Sequence, residues 1–215
     1  MLTRAEEDHL KAVHRLLEDG IASTNAIAER LSTKASSVTV MLQKLNEKGL
    51  LNYQPYKGVT LTRKGREQAV ALVRKHRLWE TFLVQHLGFG WDEVHEVAEQ
   101  LEHIQSAKLV DKLDEFLGHP HFDPHGDPIP TKNGALQSAP FKALAALGVG
   151  AKATVAGVGE HSRDFLRFLS EQQLGVGAKL QVLARNAFDG SLNVKTGDGR
   201  TIQLSHATAE HILIR

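Results

Sequence analysis

The stretch that most constrains the fold is residues 23–62, where two short helical patterns run directly into a strand-turn-strand pattern. Apolar residues at helical spacing mark one helix around residues 27–31 and a second over residues 38–45, which Gly49 ends. The expected caps are hydroxyl residues: Ser23 or Thr24 for the first helix and Ser36 or Ser37 for the second. The short break between the helices is typical of a helix-turn-helix.

Residues 51–62 add a β-hairpin to this helical pair, with its turn at residues 56–58. A helix-turn-helix with a basic hairpin wing is typical of DNA-binding domains, and a winged helix used for protein contacts is the alternative. The candidate DNA contacts lie on the second helix and the wing: Lys34, Ser36, Ser37, Thr39, Val40, Gln43, Lys44, Tyr56 and Lys57. Thr39 and Gln43 suit base edges, and Val40 suits a thymine methyl group. Lys57 at the tip of the wing suits the phosphate backbone.

The charge distribution separates the chain into a basic head and an acidic middle. Residues 1–75 hold 13 basic and 8 acidic side chains, net +5. Residues 76–130 hold 3 and 11, net −8, and residues 131–215 hold 10 and 6, net +4. This asymmetry fits a nucleic-acid contact at one end and a cation site in the centre.

The acidic middle contains a stretch, residues 91–113, that is predicted to form one helix. Four potential metal ligands lie on one side of it: His95, Glu99, Glu102 and His103. At about 100° per residue they fall within a sector of roughly 100°. A solvated acidic face is the alternative, but four such residues on one face favour a metal site.

The helix before this stretch, over about residues 64–87, carries His76 and Glu80 one turn apart. Such a pair alone is more often a surface hydrogen bond than a metal site. The linker at residues 88–91 is short, so the two helices are expected to be antiparallel neighbours with facing ligands.

The absence of cysteine from the whole chain narrows the chemistry. It excludes disulfides, thiolate nucleophiles, iron–sulfur clusters and cysteine zinc sites, so any metal must be held by nitrogen and oxygen. No run approaches the ~20 apolar residues of a membrane span, and the first ten residues lack the apolar core of a signal peptide. We therefore expect a cytoplasmic protein without membrane contact.

The chain changes character towards its C-terminus. Residues 119–141 hold most of the prolines and read as a linker, and we interpret His119, His121 and His125 as linker residues without a metal role. Beyond them, four alternating apolar runs separated by glycine turns, with a helix at residues 162–172, predict an SH3-like small β-barrel. The fold class is therefore mainly α with a C-terminal all-β module. The expected domain ranges are 1–72, 73–118, 119–141 and 142–215.

Four segments identify a resemblance that covers nearly the whole chain: IAERLSTKASSVTVMLQKLNEKGLL, EVAEQLEH, FDPHGDPIP and GVGAKLQV. With them the chain resembles the three-domain metal-dependent repressors of the diphtheria-toxin-repressor and manganese-transport-regulator family. The resemblance implies an N-terminal winged helix-turn-helix, a helical metal-binding and dimerisation domain, and an SH3-like barrel of the FeoA type, as in ferrous-transport accessory proteins.

The resemblance also implies two sets of metal ligands. The primary set is Asp8, Glu99, Glu102 and His103. The second set is His76, Glu80 and His95, with His161 and Asp164 as the nearest matches for two further ligands from the barrel. Lys11 stands where the manganese-responsive branch has Glu, so the two-metal arrangement of that branch does not carry over.

These observations predict a repressor that binds a palindromic operator in double-stranded DNA as a homodimer, without an organic cofactor and without enzymatic activity. Carboxylate and imidazole ligands without sulfur suit Mn(II) or Fe(II). The resemblance implies Mn(II) as effector, because Asp8 and Glu99 stand where the iron-responsive branch has Met and Cys; Fe(II) is the alternative, and other divalent transition metals are expected to bind in vitro. Two competing interpretations are a di-metal hydrolase and a metal-independent winged-helix regulator whose barrel binds a small molecule.

Overall fold

The computed structural model describes residues 2–18, 20–54, 58–136 and 141–215. The chain forms two compact units. The first comprises Met1–His76, Glu99–Val110 and Pro130–Leu136, and the second comprises Arg77–Ala98, Asp111–Ile129 and Gln137–Arg215.

The described residues form mainly helices in the first half of the chain and mainly strands in the second half. The helices are α1 (Arg4–Glu18), α2 (Thr24–Arg30), α3 (Ala35–Glu47), α4 (Arg63–Leu87), α5 (Val94–Leu101), α6 (Ala107–Phe116), α7 (Arg163–Glu171) and α8 (His206–His211). The strands are β1 (Leu51–Gln54), β2 (Gly58–Leu61), β3 (Lys142–Ala143), β4 (Lys152–Val158), β5 (Lys179–Arg185), β6 (Leu192–Thr196), β7 (Thr201–Leu204) and β8 (Ile212–Ile214). Among these described segments, no helix is both long and apolar enough to cross a membrane.

The first unit contains the winged helix that the sequence predicts. The apolar stripes of α1, α2 and α3 meet in a core whose fully buried members are Leu10, Val13, Ile27, Val38, Leu42 and Leu45. The wing is the antiparallel pair β1–β2, with Leu51 opposite Leu61. The core leaves the polar side of α3 exposed.

The caps of the two short helices follow the prediction only in part. Ser23 caps α2, because its side chain accepts a hydrogen bond from the backbone N–H of Ala26 at 3.1 Å. The expected cap of α3 by Ser36 or Ser37 is wrong. The N-cap position is Lys34, which makes no side-chain cap bond, so both serines lie exposed in the first turn of the helix.

The prediction of one helix over residues 91–113 is also wrong, because α5 ends at Leu101 and α6 begins at Ala107. Ser106 starts the second helix: its hydroxyl accepts from the backbone N–H of Leu109 at 3.3 Å, and its carbonyl accepts from that of Val110 at 3.2 Å. Periodicity alone does not reveal such a cap inside a helical pattern. Glu102 and His103 consequently lie in the turn after α5 and not on a continuous helix face.

The second unit contains the predicted all-β module. Its sheet has the order β3-β8-β4-β5-β6-β7 with antiparallel neighbours, around a core that includes Val155, Leu169, Val182, Val194 and Ile212. The four predicted strands correspond to β4–β7, and Ser162 and Gln172 flank α7 as expected. Three further elements, β3, β8 and α8, were not predicted because they are too short for a clear periodic signal.

Candidate metal centres and DNA-binding face

The first candidate centre joins α1 to the turn after α5, within the first unit. Asp8 on α1 is half-buried, and its Oδ1 lies 3.1 Å from Nε2 of His103. Glu102 Oε1 lies 4.0 Å from the same nitrogen. Ligand atoms of these three residues all lie within 4.8 Å of one another, which is close enough to hold one metal ion. The structure therefore brings together residues that are more than ninety positions apart in the chain.

Glu7, which the sequence analysis did not select, orients the imidazole of this group. Its Oε2 lies 2.6 Å from Nδ1 of His103, and its Oε1 accepts a hydrogen bond from the side-chain amide of Gln105 at 2.5 Å. With Nδ1–H donated to Glu7, the Nε2 lone pair faces Asp8. Glu7 was missed because an acidic residue in the first turn of a helix is expected from the helix dipole alone. Its position next to Asp8 is the one signal that the sequence offers.

The electrostatics of this group favour a bound cation. Burial raises the pKa of Asp8, and the nearby carboxylates of Glu102 and Glu99 raise it further, against the opposing effect of His103 and Arg4. Glu99, which was also predicted as a ligand of this centre, is exposed and lies outside the group of three converging ligands. Neighbouring carboxylates disfavour one another's charge, and a divalent cation between them would remove that penalty.

Glu102 is a different case, because it already has a cationic partner in Lys11 and a hydrogen bond with His76. Burial would raise its pKa, but the hydrogen bond from His76 and the charge of Lys11 together lower it. His76 Nδ1 lies 2.5 Å and Lys11 Nζ 2.7 Å from Glu102 Oε2. The carboxylate therefore stays ionised in the protein interior, as a metal ligand must.

A second candidate centre lies within the second unit and consists of Glu80, Asp123 and His125, all three buried. Nδ1 of His125 lies 3.8 Å from Glu80 Oε2 and 4.0 Å from Asp123 Oδ1. Nε2 of His125 lies 2.7 Å from the backbone carbonyl of Trp91. An N–H donated to that carbonyl leaves the Nδ1 lone pair facing the two carboxylates, the arrangement found for histidine ligands.

Asp123 shows that this second group, too, carries excess negative charge. Burial raises the pKa of Asp123 well above its usual range, and the carboxylates of Glu80 and Asp127 add to the rise, against the opposing charge of Arg77. Arg77 is itself engaged with Asp127 at 2.7 Å and with the carbonyl of Pro128 at 2.5 Å. A divalent ion would neutralise what Arg77 leaves uncompensated.

The segment around His125 packs against β4, although the sequence analysis treated it as linker. The carbonyl of His125 accepts from the backbone N–H of Val158 at 2.9 Å. Gly126 has φ +88°, and a Cβ there would lie 2.3 Å from the carbonyl oxygen of Ala156. The two prolines hid this packing, and the close spacing of Asp123 and His125 in FDPHGDP was the signal that the two side chains could meet.

The other predicted metal ligands differ in the side chains that they contact. His95 Nδ1 lies 3.1 Å from Glu80 Oε1, while His76, one turn before Glu80 in α4, contacts Glu102 in the first unit. The ring of His161 lies 5.3 Å from that of His125. Asp164 is exposed in the first turn of α7, and among the described residues it belongs to no converging group of ligands.

The candidate DNA-binding face is the outer side of α3. Its exposed side chains are Lys34, Ser36, Ser37, Val40, Gln43 and Lys44, with Val40 65% exposed. Thr39 differs, because its hydroxyl donates to the carbonyl of Ala35 at 3.0 Å within the helix. Tyr56 and Lys57 lie outside the described residues.

The base of α3 is tied to α1 by ion pairs. The fully buried carboxylate of Glu6 on α1 lies 3.0 Å from Nζ of Lys44 and 2.6 Å from Nζ of Lys48. These bonds, Lys48 first, hold the pKa of Glu6 at about 2 against an ordinary value of 4.5. The helix that carries Asp8 is therefore also bonded to the end of α3, the helix with the candidate DNA-binding face.

Three family models match the chain in succession. Residues 1–59 match the N-terminal DNA-binding domain of iron-dependent repressors, residues 62–131 match their metal-binding and dimerisation domain, and residues 142–215 match the FeoA domain. Two of the three therefore come from the same family, and the third describes the barrel.

Relatives of known name agree with these models. The chain is 37% identical to the iron-dependent repressor IdeR of Mycobacterium leprae over 130 residues, 60% of this chain and 56% of that protein. It thus spans about half the length of the iron-dependent relatives that it matches. It is also 37% identical to the transcriptional regulator MntR of Lysinibacillus sphaericus over 118 residues, 54% of this chain and 84% of that protein.

Solved structures extend the likeness to the full length. A manganese-dependent transcriptional repressor in complex with manganese has 39% identity and a TM-score of 0.83, over 97% of this chain and 98% of that one. ScaR with bound Cd²⁺ has 33% identity and a TM-score of 0.76, over 98% of each chain. With these full-length matches and the three successive domain models, the chain belongs to the iron-dependent repressor family of metal-dependent transcriptional regulators.

Proposed function

We propose that this protein is a repressor of metal-ion homeostasis genes that binds palindromic operators as a homodimer when Mn(II) is bound. The observation that carries the proposal is the 3.1 Å approach of Asp8 on the first helix to Nε2 of His103 in the turn after α5. The manganese-dependent repressor that aligns with nearly the whole chain supports Mn(II) as the effector.

The donor atoms of both candidate centres fit a hard or borderline divalent ion. The proposed ligands are Asp8, Glu102 and His103, with Glu99 beside them, in the first centre, and Glu80, Asp123 and His125, with His95 and His161 beside them, in the second. All are carboxylate oxygens or imidazole nitrogens, which suit Mn(II) or Fe(II). A bound ion supplies positive charge and directed bonds at each centre.

The proposed mechanism is linkage between metal binding and the position of α1. Leu10 and Val13 anchor α1 in the core of the winged helix, while Asp8 reaches towards residues 99–110. Ligands from both segments can share one ion in one arrangement only, so metal binding stabilises that arrangement by the difference in affinity. Because Glu6 bonds α1 to the end of α3, the DNA-facing helix is stabilised with it.

Two features support a homodimer: the two-fold symmetry of a palindromic operator and the exposed apolar side chains of the second unit. In a two-fold dimer, two copies of α3 can enter successive major grooves of a palindromic site. Leu87 and Phe116 in the second unit are 58% and 62% exposed. Apolar side chains of this size on a helical surface support a contact with a second copy.

We assign no catalytic role to either centre. A di-metal hydrolase would not explain the exposed polar face of α3. A metal-dependent DNA-binding protein explains both that face and the candidate metal centres. The expected result is metal-dependent DNA binding without hydrolysis of DNA or phosphate esters. Metal-dependent hydrolysis without DNA binding would contradict the proposal.

The test is binding of an operator fragment, measured by fluorescence anisotropy during anaerobic titration with Mn(II) or Fe(II), with EDTA as the reference. We expect no specific binding in EDTA and half-maximal binding at a lower free concentration of Mn(II) than of Fe(II). Equal binding with both ions at physiological concentrations would reject the manganese assignment. Operator affinity that is unchanged by EDTA would favour a metal-independent regulator.

Asp8→Ala and Glu102→Ala test the ligands. Both variants should lose metal-dependent DNA binding and remain dimeric in light scattering after gel filtration. Glu18→Ala, at an exposed acidic position of the same helix, is the matched control and should behave as the wild type. A normal metal response in both ligand variants would refute this centre.

A further inference from the structure

An internal cation occupies one side of the Glu102 carboxylate. Lys11 Nζ lies 2.7 Å from Glu102 Oε2 and 3.3 Å from Nδ1 of His76. The side chains of Lys11 and Glu102 are only 12% and 1% exposed, so this ion pair is screened weakly by solvent. A lysine ammonium is therefore held inside the protein next to a candidate metal ligand.

The two oxygens of Glu102 face different partners. Oε2 is taken by Lys11 and His76, while Oε1 lies 4.0 Å from Nε2 of His103, the nitrogen that faces Asp8. Lys11 and Asp8 are three residues apart on α1 and hence neighbours on the helix surface. The Lys11 ammonium bonds one oxygen of the Glu102 carboxylate, and an ion bound by Asp8 and His103 would lie near the other oxygen.

We propose that Lys11 is a built-in competitor that sets the metal affinity of the Asp8–Glu102–His103 centre. The proposal rests on the function proposed above. The ammonium lowers affinity because it repels a divalent ion held at the other oxygen of the same carboxylate, while Oε2 stays bonded to His76 at 2.5 Å with or without Lys11. The repressor then responds at a higher free metal concentration than its ligands alone would give.

The competing explanation is a structural ion pair that only ties α1 to the turn after α5. The two explanations predict opposite results for Lys11→Met, which keeps the length of the side chain and removes the charge. A competitor predicts that the dissociation constant for Mn(II) falls by about tenfold or more, since even a modest electrostatic term is worth that much in a partly buried site. A structural pair predicts lower thermal stability with unchanged or weaker metal binding.

The experiment measures Mn(II) binding directly, by electron paramagnetic resonance of free Mn(II), in the full-length protein without DNA. Lys11→Arg keeps the positive charge and should bind Mn(II) with an affinity near that of the wild type. The double variant Lys11→Met with Asp8→Asn should lose the gain, which assigns the gain to this centre and not to the one around His125. Lys11→Gln, which is polar and uncharged, should show the same gain and serves if the methionine variant does not fold.

Lys48→Met is the matched control, because it also breaks an ion pair with a buried carboxylate, that of Glu6, in the same unit. It should give no gain in Mn(II) affinity, and an equal gain there would overturn a specific role for Lys11. A wild-type protein that binds no Mn(II) would refute the proposed function. Asp8-dependent binding in the wild type with no gain in either neutral Lys11 variant would refute the present inference alone.

Discussion

Glu7 Oε2 lies 2.6 Å from Nδ1 of His103. A carboxylate on the first helix therefore orients a candidate metal-binding imidazole through the ring nitrogen that does not face Asp8. We expect Glu7→Gln to weaken Mn(II) binding by about 10–100-fold, the range for loss of such an outer partner. The measurement is competition with a metal-sensitive dye. Gln105→Ala removes only the amide that bonds the other oxygen of Glu7 and should have a smaller effect. Normal affinity in Glu7→Gln would show that His103 is oriented without it.

Asp123→Asn should make the metal-free protein more stable while weakening its response to metal. Burial and the charge of Glu80 raise the pKa of Asp123, so the ionised carboxylate destabilises the folded state as pH rises above the ordinary value of 3.8. Relief of that charge should raise the melting temperature in EDTA at about pH 7 by at least about 2 °C, and the gain should shrink towards about pH 4. Thermal melts with and without Mn(II) at several pH values provide the measurement. A lower melting temperature in EDTA would contradict this account.

Glu6→Gln should destabilise the winged helix in a manner that depends on pH. The pKa of Glu6 lies at about 2 in the folded protein against 4.5 ordinarily, so its ion pairs stabilise fully above about pH 4.5 and are lost as the pH falls towards 2. In EDTA, the difference in melting temperature between wild type and variant should therefore be large at about pH 6 and vanish near pH 2. A difference that does not change with pH would show that Glu6 acts through packing and not through charge.

Two substitutions on α3 should separate base contact from phosphate contact. Lys34→Ala should weaken binding to all DNA and reduce the slope of log affinity against log salt by about 0.9. Val40→Ala should leave that slope unchanged and weaken only binding to operators with thymine at the contacted position, because Val40 offers apolar contact alone. Salt titrations on matched operator and non-operator duplexes measure both. An altered salt slope in Val40→Ala would reject its placement against a base.

The winged helix and most of the barrel were predictable because their signals are local. Apolar spacing marked α2 and α3, and alternation marked β4–β7, where one face of each strand is buried. The break between α5 and α6 was not predictable in this way, since the Ser106 cap lies inside a continuous helical pattern.

The site residues, too, were predictable only where the sequence signal is local. Glu102 and His103 stood out because they are neighbours in a ligand-rich stretch, and only the family resemblance connected them with Asp8. Nothing in the local sequence indicates that Lys11 would meet Glu102, ninety-one positions away. The approach of His125 to Glu80 was not foreseen for the same reason, because Glu80 belongs to a distant helix.

The sequence by itself determined the fold class, the nitrogen and oxygen character of any metal site, and the basic helix-turn-helix, because periodicity and residue type act over a few neighbouring positions. Only the tertiary structure decided which charges meet. Three pairs of side chains from distant segments lie together in the folded protein: Glu7 and His103, Lys11 and Glu102, and Asp123 and Glu80. Burial makes these contacts energetically important, because water screens the charges of buried groups only weakly.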